Sequence, residues 1–269
     1  MKKIIAIMLA MMLALTGIAI FTACDGNNGP EETTPEATTP AETEPAAPAV
    51  LKMATNAYFQ PYEFYKDGKI VGIDAEIAAA VADYLGYKLE IVDMEFDSII
   101  TAVKEGSVDF GMAGMTITED RLLEVDFSIS YASGVQAIIV KEGSAITCVD
   151  DLYAEGASYK VGVQLGTTGD IYATDDFGSD KVTTYSNGNE AVLALLGGSV
   201  DCVIIDNEPA KALVAANAGL TILETAYANE DYAICVNKDN AELLAKIDQA
   251  IKDLTADGTI DAIIAKYIK

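Results

Sequence analysis

The sequence predicts an α/β fold, and three observations support this prediction. Short β-rich runs alternate with helical periods through two series, 51–130 and 159–223, and such alternation is typical of parallel sheets covered by helices. Each series contains a threonine-rich turn with glycine between a strand and a helix. Residues 51–269 are enough for one large domain or two lobes. Two similar lobes would enclose a cleft, because ligands of open α/β sheets lie at the carboxyl ends of strands.

The first series alternates strands with helices whose apolar residues recur every three or four positions. Ile77, Val81 and Leu85 mark one face of the first helix, and Gly86 is its predicted end. Asp97 is the predicted cap of the second helix. The predicted strands are 51–56, 88–92 and 108–113, and the predicted helices are 74–85, 97–106 and the one that carries Arg121.

The second series follows a long β run at 134–140 and a short helix that begins at Asp150. Gly197 and Gly198 are predicted to end the helix before them. Two amphipathic helices close the chain. The predicted strands are 160–163, 182–185, 200–205 and 232–236, and the predicted helices are one after 166–169, then 189–196, 208–217, 240–255 and 258–268.

Residues 1–23 read as a secretory signal peptide. Lys2 and Lys3 precede an apolar run, and small residues lead to Cys24. General signal peptidase cleavage is one interpretation. The other is a bacterial lipoprotein with lipid on Cys24, since the segment resembles a lipobox in which Phe21 replaces the usual Leu. Several acyl chains on this cysteine would give a stable membrane anchor.

Residues 24–50 are predicted to be a disordered, lipid-anchored linker. Five of the chain's 7 prolines fall there, and no apolar periodicity exists to build a core. The formal net charge of the whole chain is −25, which argues against nucleic acid and anionic lipid headgroups as partners.

The composition excludes several classes of enzyme and cofactor site. The chain has no histidine, which removes Ser-His-Asp and Cys-His nucleophiles and most transition-metal sites. It has no Walker A sequence and no dinucleotide fingerprint, and the Asp-rich stretch 175–180 is expected to be a solvated turn. No cofactor, metal or catalytic residue is therefore predicted. Cys148, Cys202 and Cys235 are expected to be buried free thiols, with a Cys148–Cys202 bridge as the alternative.

Arg121 is the residue that points most directly to a ligand. It follows a small-residue turn and a predicted helix cap at Thr118. Turn and helix-start N–H groups together with a guanidinium make a socket for a small carboxylate. The alternative is a surface ion pair with Glu124 or Asp126. Asp206 ends a predicted strand at a sheet's carboxyl edge, and its alternative role is a helix cap.

Seven segments in one order carry a family resemblance: 55–64, 72–76, 94–96, 113–121, 125–128, 161–168 and 201–206. Residues 51–269 closely resemble the extracellular solute-binding proteins of polar amino-acid ABC transporters. The resemblance implies a two-lobed, periplasmic-binding-protein-like type II fold with a discontinuous first lobe. Lobe one would be 51–131 and 233–269, and lobe two 136–228, with hinge crossings near 131–135 and 229–233.

The same resemblance assigns roles at the two charged ends of an amino acid. Arg121 would bind the α-carboxylate through both N–H arms. The N–H and hydroxyl of Thr116, together with Thr168, would complete that socket. Asp206 and the Gly114 carbonyl would accept the α-ammonium group.

Four further residues would surround the ligand side chain. Phe59 and Phe96 would flank it, and Asn56 and Gln164 would approach its end. Family members selective for basic amino acids or glutamine often have an acid in place of Asn56. The neutral Asn56 therefore argues against a strictly basic ligand and favours a neutral polar one such as glutamine or cystine.

The resemblance implies a monomeric lipoprotein, anchored to the outer face of the bacterial cytoplasmic membrane, that delivers a free L-amino acid to an ABC importer. The permease and ATPase subunits would be separate chains. Two alternatives remain open at this point. One is a dehydratase of prephenate-like substrates with Glu63 or Glu95 as its acid. The other is an adhesin or amino-acid-sensing domain at the cell surface.

Overall fold

Two mixed β-sheets with helices packed around them organise the protein in a computed structural model. The structure describes residues 49–224 and 226–268. The predicted signal peptide, the lipid site at Cys24 and most of the predicted linker, residues 24–48, lie outside the described residues. The α/β fold predicted from the sequence is confirmed.

The described residues contain strands and helices in the following order. The strands are β1 Val50–Thr55, β2 Tyr58–Phe59, β3 Glu63–Lys66, β4 Lys69–Val71, β5 Lys88–Asp93, β6 Phe110–Gly111, β7 Asp126–Phe127, β8 Ala132–Lys141, β9 Val161–Gln164, β10 Val182–Tyr185, β11 Cys202–Asp206, β12 Leu220–Ile222, β13 Ala228–Tyr232 and β14 Cys235–Val236. The helices are α1 Ile73–Leu85, α2 Ile99–Lys104, α3 Glu119–Glu124, α4 Asp150–Tyr153, α5 Thr168–Phe177, α6 Gly188–Gly197, α7 Asn207–Ala216, α8 Ala241–Ala256 and α9 Thr259–Tyr267. A 3₁₀ turn at Phe96–Ser98 precedes α2.

Sheet one has the strand order β5-β1-β6-β14-β7, and sheet two has the order β10-β9-β11-β8-β12, with β13 also pairing with β8. In sheet one, β1 runs parallel to β5 and β6. In sheet two, β9 runs parallel to β10 and β11. These parallel strands point their carboxyl ends at one edge of each sheet, where ligands of α/β proteins bind. A small antiparallel sheet, β2-β3-β4, adds to the first series.

The parallel pairing expected from the sequence is present in both sheets, but each sheet also contains antiparallel pairs. Strand β8 pairs antiparallel with β11, β12 and β13, and β14 pairs antiparallel with β6 and β7. The run predicted as one strand, 232–236, is divided between the two sheets. The division falls at Ala233 and Ile234, whose N–H groups bond to the Met115 carbonyl and the Ser128 hydroxyl.

The chain passes between the sheets twice. It leaves sheet one after Phe127 and enters β8 at Ala132, and it returns between Tyr232 and Cys235. The two passages lie side by side, because the Tyr131 N–H donates to the Tyr232 carbonyl at 3.0 Å. Any change in the angle between the sheets would have to be absorbed at these adjacent segments.

Local signals predicted several helix boundaries. Gly86 and Gly198 adopt left-handed conformations after α1 and α6, where glycine has no steric penalty. Thr118 caps α3 by accepting from the Arg121 N–H, as predicted. The predicted cap at Asp97 is wrong, because this residue lies inside the 3₁₀ turn and Ser98 precedes α2 without a side-chain cap.

Two other sequence expectations can be compared with the structure. Cys148, Cys202 and Cys235 are free thiols, so the alternative Cys148–Cys202 bridge does not form. Cys202 and Cys235 are buried as expected, but Cys148 is only half-buried. The Asp-rich stretch 175–180 begins inside α5 rather than in a turn, and its aspartates are exposed. In the part of the chain that the structure describes, no helix has the length and apolar character needed to cross a membrane.

Candidate ligand-binding site

A pocket lies between the two sheets, at the carboxyl ends of their parallel strands. All nine residues singled out from the sequence line this pocket. Its complete lining consists of Asn56, Phe59, Glu63, Phe96, Ala113, Gly114, Thr116, Arg121, Gln164, Thr167, Thr168 and Asp206. Strands β1, β5 and β6 lead to the first part of this set, and β9 and β11 lead to the second.

Arg121 is a buried cation, with 7% of its surface exposed. None of the ion pairs among the described residues includes it, so the alternative pairing with Glu124 or Asp126 is wrong. Its guanidinium donates to the carbonyls of Thr116 at 2.7 Å and Gly166 at 3.0 Å. Burial lowers the pKa of Arg121, but an arginine in a protein still carries its charge. Two of its five N–H donors are thus used by neutral carbonyls, which leaves the charge available to an anion.

The Phe96 ring lies against this guanidinium, with its centre 5.4 Å from the Arg121 Cζ atom. A cation over an aromatic face is attracted by the ring quadrupole. Phe96 belongs to the 3₁₀ turn after β5, and it is buried. The ring therefore helps to fix the plane of the guanidinium.

Gly114 is required by two features of its surroundings. Its φ is +53°, a left-handed conformation that side chains rarely adopt. A Cβ atom there would lie 2.7 Å from Cε1 of Phe59. The glycine therefore lets the turn after β6 approach the Phe59 ring and present backbone groups to the pocket.

The turn after β9 supplies the opposite wall. Thr167 caps α5, since its hydroxyl accepts from the Asp170 N–H at 3.3 Å, and Asp170 in turn accepts from the Gly166 N–H at 3.0 Å. Thr168 is the first residue of α5 and is buried. The first N–H groups of a helix have no partner within the helix and favour a negative charge. This turn can therefore contribute donors to a bound carboxylate.

Asp206 ends β11 and is 6% exposed. The alternative role as a helix cap is wrong, because its side chain makes no capping hydrogen bond to α7. It accepts hydrogen bonds from Gln136 Nε2, at 2.8 Å, and from the Tyr232 hydroxyl. Burial first, and then the negative charge of Glu230, raise the pKa of Asp206 well above its usual value. A cation bound beside this carboxyl would favour its ionised form.

Some residues at this site were missed from the sequence. Gln136, Glu230 and Tyr232 surround Asp206 because β8 pairs with both β11 and β13. The polar run at 229–231 gave no strand signal. Glu63 lines the pocket, but Glu95 is exposed and does not.

The described residues contain no group of three or more acidic, cysteine or histidine side chains placed to hold a metal ion. The pocket instead combines one buried cation, Arg121, two buried carboxyl groups, Glu63 and Asp206, and two aromatic rings. Such an arrangement suits a small zwitterion.

Residues 51–269 match the family model of bacterial extracellular solute-binding proteins, family 3. The chain belongs to this family. Among its curated relatives is the ABC transporter glutamine-binding protein GlnH of Bacillus subtilis, which is 30% identical over 274 residues and covers 100% of this chain and 98% of its own.

Solved structures of related solute-binding proteins agree with this assignment. An ancestral arginine-binding protein bound to glutamine has a TM-score of 0.77 and 41% identity, with 82% of this chain and 99% of that chain covered. An ancestral arginine-binding protein bound to arginine has a TM-score of 0.76 and 42% identity, with the same coverage. The two-lobed, type II binding-protein fold implied by the resemblance is thereby confirmed.

Proposed function

We propose that this solute-binding protein captures one free L-amino acid between its two sheets. The single observation that carries the proposal is a pocket lined both by a buried guanidinium without a carboxylate partner, Arg121, and by a buried carboxyl, Asp206. An α-amino acid brings the two complementary charges. Charge-assisted hydrogen bonds are stronger in such a water-poor site than in solvent.

The carboxylate end is assigned to Arg121, with the N–H and hydroxyl of Thr116 and the start of α5 at Thr168 as further donors. The ammonium end is assigned to Asp206 and the Gly114 carbonyl. Support for these roles comes from the burial of all five residues and from their common pocket. Phe59 and Phe96 flank the ligand side chain in this arrangement.

We infer a neutral polar ligand such as glutamine, with cystine as a second candidate. Support comes from Asn56 and Gln164, two neutral amides at the pocket, and from the relatives named for or bound to glutamine. Arginine is the competitor to test, because a similar structure holds it.

The experiment is a thermal-shift screen of the twenty amino acids, cystine and ornithine, followed by calorimetry on those that stabilise the protein. One ligand should bind with a stoichiometry near one. A hundredfold excess over Kd should add about 2.7 kcal/mol to the free energy of unfolding. No heat with any of these compounds up to millimolar concentration would refute the function.

Delivery to an ABC importer follows from this function, with permease and ATPase as separate chains and the protein as a monomer outside the cell. We propose that Cys24 carries the lipid that anchors it to the outer face of the cytoplasmic membrane. A Cys24→Ala variant should lose palmitate labelling and leave the membrane fraction. Cleavage by general signal peptidase would instead give an unlabelled wild-type protein.

The lobes of the proposed mechanism are 51–131 with 233–269, and 136–228. Ligand would enter while they are apart, and they would then close over it. The strand order supports this division, because β8 to β13 form sheet two while β14 returns to sheet one. Closure strengthens both charged contacts by excluding water. No catalytic step is part of this function.

A further inference from the structure

Two carboxyl groups are buried together beside the pocket. Glu63 begins β3 and Asp74 is the second residue of α1, and each is 0% exposed. They are brought together by a close approach of backbones, since a Cβ on Gly72 would lie 2.1 Å from the Tyr62 carbonyl oxygen. Both residues lie in segments that carry the family resemblance, 55–64 and 72–76, but in a chain with 42 Asp and Glu residues nothing in the sequence pairs them with each other.

The hydrogen bonds of this pair are unequally distributed. Oδ2 of Asp74 accepts from the Gly114 N–H at 2.7 Å and from the Tyr131 hydroxyl at 2.8 Å. Oδ1 of Asp74 and both oxygens of Glu63 are buried and receive no donor from the other described residues. Burying an ionised carboxylate without hydrogen-bond donors costs free energy. The two carboxyl groups must therefore hydrogen-bond to each other.

A single proton held between the two carboxyl groups would allow one of them to donate a hydrogen bond to the other. Two adjacent buried carboxyls cannot both ionise at low cost, and Asp74 is the one whose charge is stabilised by two donors. Burial, and then the neighbouring Asp74, raise the pKa of Glu63 well above its usual value. Burial raises the pKa of Asp74 to about 6, against the lowering effect of its donors. The proton therefore resides on Glu63, which donates it to Asp74.

We propose that Glu63 and Asp74 are a positioning pair that holds the ligand pocket and the passage between the sheets in one geometry. The inference rests on the proposed amino-acid function. Through one oxygen, Asp74 fixes the N–H of Gly114, whose carbonyl is assigned to the ligand ammonium group. Through the same oxygen it holds Tyr131, next to the segment where the chain enters sheet two.

The geometry shows why such a pair would matter for binding. The Gly114 turn is left-handed and packs within contact of the Phe59 ring, so a small displacement would move a ligand-binding carbonyl. The Tyr131 N–H bonds to the Tyr232 carbonyl, and the Tyr232 hydroxyl bonds to Asp206. The pair thus connects the two groups assigned to the ammonium end.

Other titratable groups near the pair would contribute to its pH response. Those that face it are Tyr62, Asp93, Tyr131 and Asp206. None of the four carries a positive charge that would help Glu63 to ionise. As the pH rises, Glu63 should therefore be the last carboxyl of the pair to lose its proton. Once Glu63 ionises, repulsion between the two carboxylates should push them apart.

The test compares Glu63→Gln, Asp74→Asn and Tyr131→Phe with an Asp83→Asn control, which changes an exposed acid on the same helix α1. Calorimetry would measure the affinity of each for the amino acid that the wild type binds best. Glu63→Gln retains a donor for Asp74 and is the conservative variant, so near pH 7 its affinity should fall by a smaller factor than that of Asp74→Asn. Asp74→Asn should lose about tenfold or more, and Tyr131→Phe a smaller factor, without changing the rank order of amino acids.

The readout that separates positioning from mere packing is the pH profile. Wild-type affinity should fall as the pH rises through the ionisation of Glu63, and Glu63→Gln should lack that component. Burial raises the pKa of Asp74 to about 6 in the folded protein, whereas an aspartate of the unfolded chain titrates at about pH 4. Without ligand, the folded pair therefore holds a proton between about pH 4 and 6 that the unfolded chain has already released. The free energy of unfolding should therefore decrease over this interval, and Asp74→Asn should remove part of the decrease.

Three results would overturn the proposal. Wild-type affinity in both Asp74→Asn and Tyr131→Phe would show that the pair positions nothing. An altered ligand rank order in Glu63→Gln would make this residue a direct ligand contact instead. Carboxyl carbon NMR showing both groups ionised at pH 7 would exclude the shared proton. If the wild type bound no amino acid, the proposed function would be refuted. Carboxyl NMR and the pH dependence of unfolding would still show whether Glu63 and Asp74 share a proton.

Discussion

Gln164 donates a hydrogen bond from Nε2 to Oδ1 of Asn56 at 3.0 Å, and this bond joins the end of β9 in sheet two to the residue after β1 in sheet one. The Asn56 amide also donates from Nδ2 to the Met94 carbonyl at 2.8 Å. Both polar ends of Asn56 are therefore engaged. The two hydrogen bonds fix the orientation of the Asn56 amide. A ligand side chain at this position would contact a neutral, dipolar amide group rather than a charged group.

Replacing Asn56 by Asp should shift binding towards lysine, arginine and ornithine. The new carboxylate adds a negative charge at the wall of a buried pocket, where a nearby cation is strongly favoured. The substitution also replaces the Nδ2 donor that faces the Met94 carbonyl with a carboxylate oxygen, which can only accept. The affinity for neutral amino acids should therefore fall by about tenfold. Competition titrations with basic and neutral amino acids measure both effects.

Asn189→Asp is the matched control, because Asn189 is exposed on α6 and the substitution adds the same charge. It should leave the rank order unchanged. An unchanged rank order in Asn56→Asp as well would place Asn56 outside the part of the pocket that contacts the ligand side chain.

Arg121→Ala should abolish detectable binding and leave the fold intact. Arg121→Lys should weaken binding by about 1.5–3 kcal/mol, or about ten- to a hundredfold, because an ammonium group cannot reproduce the planar fork of donors. Calorimetry measures the affinity, and circular dichroism with denaturant unfolding checks the fold.

Lys246→Ala serves as the control for Arg121, since it removes a cation of α8 that pairs at the surface with Glu242. Its affinity should equal that of the wild type. Retention of wild-type affinity in Arg121→Ala would leave this residue with a structural role only.

The sequence predicted the elements that depend on local signals. Helix α1 was found because its apolar residues recur at helical spacing and Gly86 ends it. Strand β13 was missed because Asn229, Glu230 and Asp231 have low strand propensity, and only pairing with β8 makes them a strand. Tertiary contacts override propensity at such positions.

The site was predictable to a similar degree. Residues at strand ends, such as Gln164 and Asp206, could be expected to converge because parallel strands present their carboxyl ends at one edge. The contact of Asp206 with Glu230 could not, since it depends on the unrecognised β13. The Glu63–Asp74 pair was equally hidden, because its formation depends on a backbone approach at Gly72.

Ligand binding should release protons from Asp206. Burial and Glu230 raise the pKa of Asp206 well above its usual value, so part of the free protein carries a proton there. The ligand ammonium group would lower this pKa, and affinity should therefore increase as the pH rises through it. Calorimetry in buffers of different ionisation enthalpy measures the number of protons released.

Glu230→Gln should reduce this proton release, because it removes the second cause of the raised pKa at Asp206. The exposed Glu90→Gln on β5 is its control. Proton uptake on binding, or the same release in Glu230→Gln as in the wild type, would contradict this assignment of the ammonium site.

The last prediction concerns closure of the two lobes. Arg121 reaches from α3 to the Gly166 carbonyl of the other series, and Asn56 meets Gln164 in the same way. Contacts of this kind can form only when the two sheets approach each other. The adjacent passages between the sheets would absorb the motion.

Solution scattering with and without the amino acid tests this motion. The radius of gyration should fall on binding, because the ligand is held by groups from both sheets and stabilises the closed form. Gln164→Ala removes one contact between the sheets but neither charged ligand contact, so it should weaken binding by less than Arg121→Lys while still closing. An unchanged radius of gyration alongside confirmed binding would mean a rigid pocket, and the two-lobe mechanism would then be wrong.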